Sequence, residues 1–134
     1  MQLTAEHLTQ LADKKFLERG QDYFEKRLLD VVSNTDDQVE SIVLGRDVYY
    51  TRLFKQTNGE VVGNCTCPSF RDYGPCKHMA ATALAVMAEN YKPLPSFAYD
   101  REQIELKKSQ LLKRTPEELI NIILELEQKL ADNK

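Results

Sequence analysis

Residues 61–83 read VVGNCTCPSFRDYGPCKHMAATA, and this stretch decides the fold because it joins a strand-like segment to a helix-like one through a cluster of metal-binding residue types. Cys65 and Cys67 form a first pair, and Cys76 and His78 form a second pair after eight intervening residues. A zinc ion takes four such ligands in a tetrahedron, here from two nearby pieces of backbone. The spacing therefore predicts a structural zinc site with these four side chains as ligands.

The one-residue gap within each pair lets both side chains bind one metal only if the backbone bends away from a flat strand. Pro68 follows the first pair and Gly74-Pro75 precedes the second, and both are typical of turns. The second pair also lies at the predicted start of an Ala-rich helix, where the helix dipole favours thiolate. Sulfur and imidazole ligands suit zinc better than calcium or magnesium.

Three other interpretations of the cysteines stay open. Cys65 and Cys67 can be inert thiols that pack as small hydrophobic residues. They can also form a redox pair, although a one-residue gap makes an awkward disulfide loop and leaves Cys76 unexplained. A catalytic zinc with three ligands is the third alternative, but closed four-ligand sites are usually structural. We therefore predict no catalytic residue and expect the chain not to be an enzyme.

The composition is that of an ordinary soluble domain. The 134 residues are 42% hydrophobic and 29% charged, with a formal net charge of -3. The longest apolar stretch, Met79–Ala88, is far shorter than the roughly 20 residues of a membrane-spanning helix, and no secretory signal follows Met1. The negative net charge argues against a protein that coats nucleic acid through bulk electrostatics. We expect an intracellular, cytoplasmic protein that does not enter a membrane.

Upstream of the cysteines, the pattern predicts helices followed by short strands. The first 28 residues are predicted to be helical, with Thr4 as an N-cap and a break near Asp13. Gly20 lies inside the second helix, where it is expected to allow close packing. The next segments are rich in β-branched and aromatic residues, which predicts an antiparallel meander of three or four strands. These segments are 28–32, 39–44, 48–54 and 60–63; an irregular loop region is the alternative.

Two turns are expected to connect these strands. Gly45-Arg46-Asp47 can join one pair of strands. Asn58-Gly59 is a strong hairpin signal and predicts a type I′ turn, since both residues tolerate positive φ.

Downstream of the cysteines, the sequence predicts a buried helix over Met79–Asn90, ended by Pro93 and Pro95. A charged, exposed helix follows over residues 100–113. A last helix is predicted to start at Thr115, with Pro116 and Glu118 completing the start signal. Its apolar stripe consists of Leu119, Ile122, Ile123, Leu126 and Leu130.

The predicted fold class is thus α+β: a small antiparallel meander with N-terminal helices, a zinc knuckle leading into a buried helix, and a C-terminal helical pair. The predicted organisation is a zinc-binding domain over residues 1–92 with its finger at 65–78. A connector over 93–99 and a C-terminal helical segment over 100–134 complete the chain.

The ligand spacing and its flanks resemble the SWIM zinc finger, whose pattern is C-x-C-x(n)-C-x-H. The resemblance includes the segments 65–70 and 76–81 and the upstream Arg19-Gly20 with Tyr23, and it covers roughly residues 14–90. Lys26 departs from the pattern, because such proteins often have glycine there, before Arg27. This departure affects the expected turn from helix to strand and leaves the metal ligands intact.

The resemblance implies a module that binds DNA or protein, as found in bacterial Swi/Snf-type helicases, transposase-related proteins and some kinases. No Gly-rich phosphate loop is present in the chain, so an ATPase of a larger helicase-like protein would lie outside it. We expect a Zn²⁺ cofactor and, as partners, DNA or a protein, or else a downstream domain of a longer chain.

The candidate partner-binding residues are Phe70, Arg71, Tyr73 and Lys77. Phe70, Arg71 and Tyr73 lie between the ligand pairs, where they can stack on a base or a partner side chain, or shield the metal from water. The competing prediction is a protein-interaction module that docks a partner through the C-terminal apolar stripe. Packing of that stripe on the domain's own core is the simpler alternative.

Overall fold

The computed structural model describes residues 1–97 and 99–112 of the chain. Within these residues the elements run in the following order: α1 (Ala5–Leu11), α2 (Lys14–Glu25), β1 (Leu29–Asn34), β2 (Gln38–Leu44), β3 (Val48–Lys55), β4 (Val61–Cys65), α3 (Pro68–Tyr73), α4 (Lys77–Met87) and α5 (Arg101–Leu112). The predicted α+β class is confirmed. No helix among the described residues is long and apolar enough to cross a membrane.

The four strands form one antiparallel meander in the order β1-β2-β3-β4. Strand alternation gives the sheet two different faces. One face carries Val39 and Leu53 and packs against α1 and α4, while α2 packs on α4. The other face carries Ile42 and Tyr50 and packs against α5. The sheet therefore separates the main core from a smaller apolar cluster under α5.

The loop between β3 and β4 corrects one prediction. Gly59 has a φ of 87°, whereas Asn58 has no positive φ, so the loop is not the predicted type I′ turn. The Gly59 N–H donates to the Gln56 carbonyl at 3.0 Å, and the Gln56 N–H donates to the Glu60 carbonyl at 2.8 Å. A three-residue loop with glycine in the left-handed position satisfies this pattern, and it lets Asn58 accept a bond from the Glu60 N–H.

The two N-terminal helices begin where the sequence predicts. Thr4 caps α1 and accepts a hydrogen bond from the His7 N–H, and Asp13 caps α2. Gly20 lies in the middle of α2 against α4. A Cβ built on Gly20 would lie 2.6 Å from the Ala80 Cβ and 2.7 Å from the Lys77 carbonyl oxygen. The close approach of the two helices therefore requires glycine at this position.

Helix α2 ends earlier than predicted, in a Schellman motif. The Leu28 N–H donates to the Tyr23 carbonyl and the Arg27 N–H donates to the Phe24 carbonyl. Arg27 takes the left-handed conformation with a φ of 57°, whereas Lys26 is right-handed with a φ of -78°. The expected turn from helix to strand therefore forms. Its left-handed residue is Arg27, although glycine is the usual residue in that conformation at the end of a helix.

Two helices follow α3 within the described residues, and α4 ends at Met87, three residues before its predicted end. Helix α4 begins two residues before the predicted start, so it includes His78. Helix α5 is charged and mostly exposed as predicted, but it buries Ile104 and Leu111 against the sheet. The predicted last helix from Thr115, with its apolar stripe, lies outside the described residues.

Candidate metal centre

The four predicted ligands lie where three elements meet. Cys65 is the last residue of β4, and Cys67 is the N-cap of α3. Cys76 is the N-cap of α4 and His78 is its second residue. Pro68 occupies the first position of α3, and Gly74 ends that helix with a φ of 85°. Helix α3 thus turns the chain back after the first pair, as the predicted bends require.

The ligand atoms of these four side chains all lie within 4.8 Å of one another. The His78 Nδ1 is 3.6 Å from the Cys65 Sγ and 3.9 Å from the Cys76 Sγ. A tetrahedron with metal–sulfur bonds of about 2.3 Å has sulfur–sulfur edges of about 3.8 Å. All four side chains are buried, and none of the cysteines is in a disulfide. The donor set and its spacing therefore fit one tetrahedral metal ion.

Neighbouring groups donate hydrogen bonds to two of the sulfurs. The Thr51 hydroxyl donates to the Cys65 Sγ at 3.3 Å, and the Phe70 N–H donates to the Cys67 Sγ at 3.3 Å. Thr51 reaches Cys65 because the two residues are direct partners in the β3–β4 ladder. Such outer contacts orient ligands and stabilise the negative charge of thiolates.

The pKa values of the Cys65 and Cys67 thiols are shifted in opposite directions. Burial raises the pKa of the Cys65 thiol well above its ordinary value. Hydrogen bonds from the Cys65 and Cys76 thiols and from the Phe70 N–H lower the pKa of Cys67. A divalent cation bound among these side chains would favour the thiolate form of all three cysteines.

Two tyrosine rings hold the imidazole of His78. The Tyr49 ring centroid lies 4.8 Å from that of His78, and the Tyr23 ring meets it edge-on at 5.2 Å. The His78 side chain is fully enclosed, and its Nδ1 faces the sulfurs. Its Nε2 has no hydrogen-bond partner among the described residues. Ring packing is therefore the contact that orients this ligand.

The four candidate partner-binding residues lie on different sides of the knuckle. Phe70 and Arg71 line a cleft beside the cysteines. Tyr73 points away from the domain and is 79% exposed. The Lys77 ammonium lies over the Tyr23 ring, 5.5 Å from its centroid. The structure therefore brings Phe70 and Arg71 together and separates them from Tyr73 and Lys77.

Sequence reasoning missed three residues around the site: Thr51, Tyr49 and Asn64. Thr51 and Tyr49 are two residues apart and lie on the same face of β3. Strand periodicity together with the hairpin register would therefore have placed both beside the candidate ligands. Asn64 is fully buried next to Cys65 in sequence but faces the other side of the sheet. The sequence feature that could have identified Asn64 is the presence of a polar residue inside an apolar strand.

The fold and the cluster together define a small α+β domain with a closed site of three cysteines and one histidine. Residues 48–87, from the start of β3 to the end of α4, match the family model of the SWIM zinc finger. The matched segment contains all four predicted ligands, so the resemblance to this finger is confirmed there. Comparisons with curated proteins and with solved structures return no significant match.

Proposed function

We propose that the chain is a zinc-binding recognition module in which one Zn²⁺ is held by the three cysteines and His78. The observation that carries this proposal is the cluster of four donor atoms within 4.8 Å. The SWIM match and the sulfur-rich donor set favour zinc over harder cations. When bound, zinc supplies cross-links between β4, α3 and α4, and we propose no catalytic role for it.

The partner that we propose for this module is nucleic acid. The resemblance to SWIM fingers supports this assignment, and so does the exposed surface of α3. There the Arg71 side chain is 72% exposed and Tyr73 is 79% exposed. The Arg71 guanidinium can contact a phosphate, and the Tyr73 ring can stack on a base. On the resemblance alone, we propose that the module works inside the cell as part of a larger helicase-like protein.

Electrostatics limits the expected affinity. Residues 64–92 contain Arg71, Lys77 and Lys92 against Asp72 and Glu89. A zinc ion with three thiolates and a neutral histidine has a charge of about -1, which offsets this small excess of positive charge. We therefore expect affinity in the micromolar range with few phosphate contacts, and a modest salt slope.

The experiment is a fluorescence-anisotropy titration of zinc-loaded protein with labelled duplex and single-stranded DNA over a series of salt concentrations. Arg71→Gln should weaken binding to every DNA and reduce the salt slope by about one. Lys15→Gln, which makes the same charge change on the exposed surface of α2, is the matched control and should have little effect.

Absence of binding to any DNA at low salt would contradict the nucleic-acid assignment. That result would favour the competing prediction of a protein-interaction module. Metal analysis of the purified protein tests the zinc assignment separately, and we expect one equivalent of zinc per chain.

A further inference from the structure

A cleft of about 520 Å³ lies between the zinc knuckle and the C-terminal turn of α5. The residues that line it include Asn64, Phe70 and Arg71 on one side and Gln110 and Leu111 of α5 on the other. Among the described residues that line it there is no carboxylate, and Arg71 supplies a positive charge at its edge. Arg71 also contacts the Asp72 carboxylate at 3.3 Å, and both side chains are mostly exposed.

Asn64 is the residue of this cleft that requires an explanation. Its side chain has 0% exposure, and neither its Oδ1 nor its Nδ2 has a hydrogen-bond partner among the described residues. Buried polar groups are nearly always paired, and an unpaired one costs about 1–3 kcal/mol. An amide that is buried without a partner at a cleft therefore indicates that a ligand completes its hydrogen bonds.

Strand geometry places this amide on the cleft side of the sheet. Asn64 is paired with Arg52 in the β3–β4 ladder, and its neighbour Cys65 is paired with Thr51. Cys65 faces the metal cluster and the main core. Since neighbouring residues of a strand face opposite sides, Asn64 faces the side on which α5 packs.

The chemistry of the cleft selects a class of ligand. A primary amide presents an acceptor and a donor side by side, which match the amino group and the adjacent ring nitrogen of adenine. The Phe70 ring offers a surface for stacking, and Arg71 offers a cation for a phosphate. A peptide main chain has the same donor and acceptor pair, but it would use neither the phenyl ring as a stacking surface nor the guanidinium as a phosphate contact.

We propose that this cleft binds one unpaired adenine base of a single-stranded nucleic acid, with Asn64 bonding the base edge, Phe70 stacking on it and Arg71 contacting the adjacent phosphate. This inference rests on the proposed nucleic-acid function and adds a base-binding site to it. A base must leave its duplex to enter the cleft, so single strands are preferred.

The test compares three probes of about twelve nucleotides: oligo(dA), oligo(dT) and their duplex, each titrated into the zinc-loaded full chain. We expect oligo(dA) to bind most tightly. Asn64→Leu, which keeps the size of the side chain, should weaken oligo(dA) binding about 10- to 100-fold and leave duplex binding unchanged. Asn90→Leu, the same change at an exposed asparagine, is the matched control.

Thermal unfolding of Asn64→Leu supplies a readout that separates binding from structure. The variant should melt at the same or a higher temperature, because it removes a buried amide without partners. A melting temperature lowered by several degrees would show that the amide supports the fold, and the proposal would be wrong.

The remaining outcomes are also distinct. Equal binding of oligo(dA) and duplex, or unchanged oligo(dA) binding by Asn64→Leu, overturns the base site while nucleic-acid binding stands. No binding by any probe overturns both.

The NMR signals of the Asn64 side-chain amide distinguish the possible sources of the base. We expect these signals to shift when oligo(dA) is added. Shifts with AMP but none with oligo(dA) would identify a free-nucleotide site and overturn the proposal. Shifts only with an uncharged Ala/Ser peptide would overturn the proposal in favour of a peptide site.

Discussion

His78 and His7 are the two histidines of the chain, and the structure gives them different partners. His78 is buried between Tyr23 and Tyr49 with its Nδ1 beside the cysteine sulfurs. His7 lies in the first turn of α1, where its Nδ1 accepts a hydrogen bond from the Thr4 N–H. The same residue type therefore serves as a candidate metal ligand in one place and as a helix cap in the other.

This difference gives a matched pair of variants. His78→Ala should abolish stoichiometric zinc binding, because three thiolates remain without the fourth donor and the buried imidazole leaves a cavity. His7→Ala should retain one equivalent of zinc and lose at most about 1 kcal/mol of stability, because Thr4 remains the N-cap and only the exposed contacts of the imidazole with Thr4 are lost. Elemental analysis and thermal unfolding measure both effects. Full zinc occupancy in His78→Ala would contradict the assignment of this ligand.

Arg27 gives the second prediction at this scale. The left-handed conformation costs an ordinary residue about 1 kcal/mol, and glycine adopts it without that cost. Arg27→Gly should therefore raise stability by roughly 0.5–1 kcal/mol, despite losing the hydrogen bond from Arg27 Nη2 to the Pro93 carbonyl at 3.3 Å.

The neighbouring residue supplies the control for this substitution. Lys26→Gly changes a right-handed position and should lower stability by up to about 1 kcal/mol. Chemical unfolding of both variants measures the two changes. Equal destabilisation by the two glycines would show that the φ of Arg27 carries no strain.

At the scale of elements, the crossing of α2 and α4 positions two of the candidate metal ligands. Gly20 contacts Ala80 and the Lys77 carbonyl, and Lys77 lies between Cys76 and His78 in the sequence. A side chain larger than hydrogen at position 20 would push on backbone that carries two candidate ligands. Helix packing and metal geometry are therefore coupled through this crossing.

Gly20→Ala should lower stability by about 1–3 kcal/mol, because the added methyl group meets backbone atoms that cannot move freely. The expected fall in melting temperature is about 2–10 °C. Gln21→Ala, one residue later on the exposed face of α2, is the control and should be neutral or slightly stabilising. A Gly20→Ala protein as stable as the parent would show that the two helices do not approach as closely as described.

The elements that sequence reasoning predicted well are those set by local chemistry. Thr4 and Asp13 start helices through their own side chains, and the meander follows from short β-rich segments between turns. Helix α3 was missed because its six residues are too few to show a periodicity, and Cys67 as its cap is an unusual signal. The left-handed Arg27 and the exact loop at Asn58 depend on how strands register and pack, which no local pattern encodes.

The residues of the candidate site also divide into those that local sequence predicts and those that depend on tertiary packing. The four candidate ligands could be predicted as a cluster because metal chemistry restricts both residue type and spacing. Thr51 and Asn64 were missed, because their roles follow only from the strand register and from what packs on each face of the sheet. Tertiary placement therefore adds the outer contacts and the cleft to a metal site that the sequence already indicates.

At the scale of the whole molecule, the metal cluster is part of the main core. Cys65, Cys67 and Cys76 pack in the same buried cluster as Leu53 and Met79. This cluster joins the sheet to the helices on one of its faces. Removing the proposed ion would leave three buried thiols and an imidazole without their shared partner at the centre of the domain.

We therefore expect zinc removal to unfold the domain. Structural zinc sites supply roughly 10–16 kcal/mol of apparent binding free energy at neutral pH, which matches or exceeds the stability of a typical domain. A strong chelator should abolish the cooperative thermal transition seen by circular dichroism, and added zinc should restore it. Magnesium is the control and should not restore it. An unchanged transition in verified metal-free protein would contradict a structural role.

The alternation of Cys65 and Asn64 along β4 has an evolutionary consequence. Adjacent positions serve opposite sides of the sheet, so the side chain at position 64 can change without altering any donor to the ion. A lineage of such domains could thus vary the ligand proposed for the cleft by single substitutions there, while the proposed ion would prevent the strand from slipping by one residue. Neighbouring codons would then encode the proposed metal anchor and the proposed ligand preference, and each could change without the other.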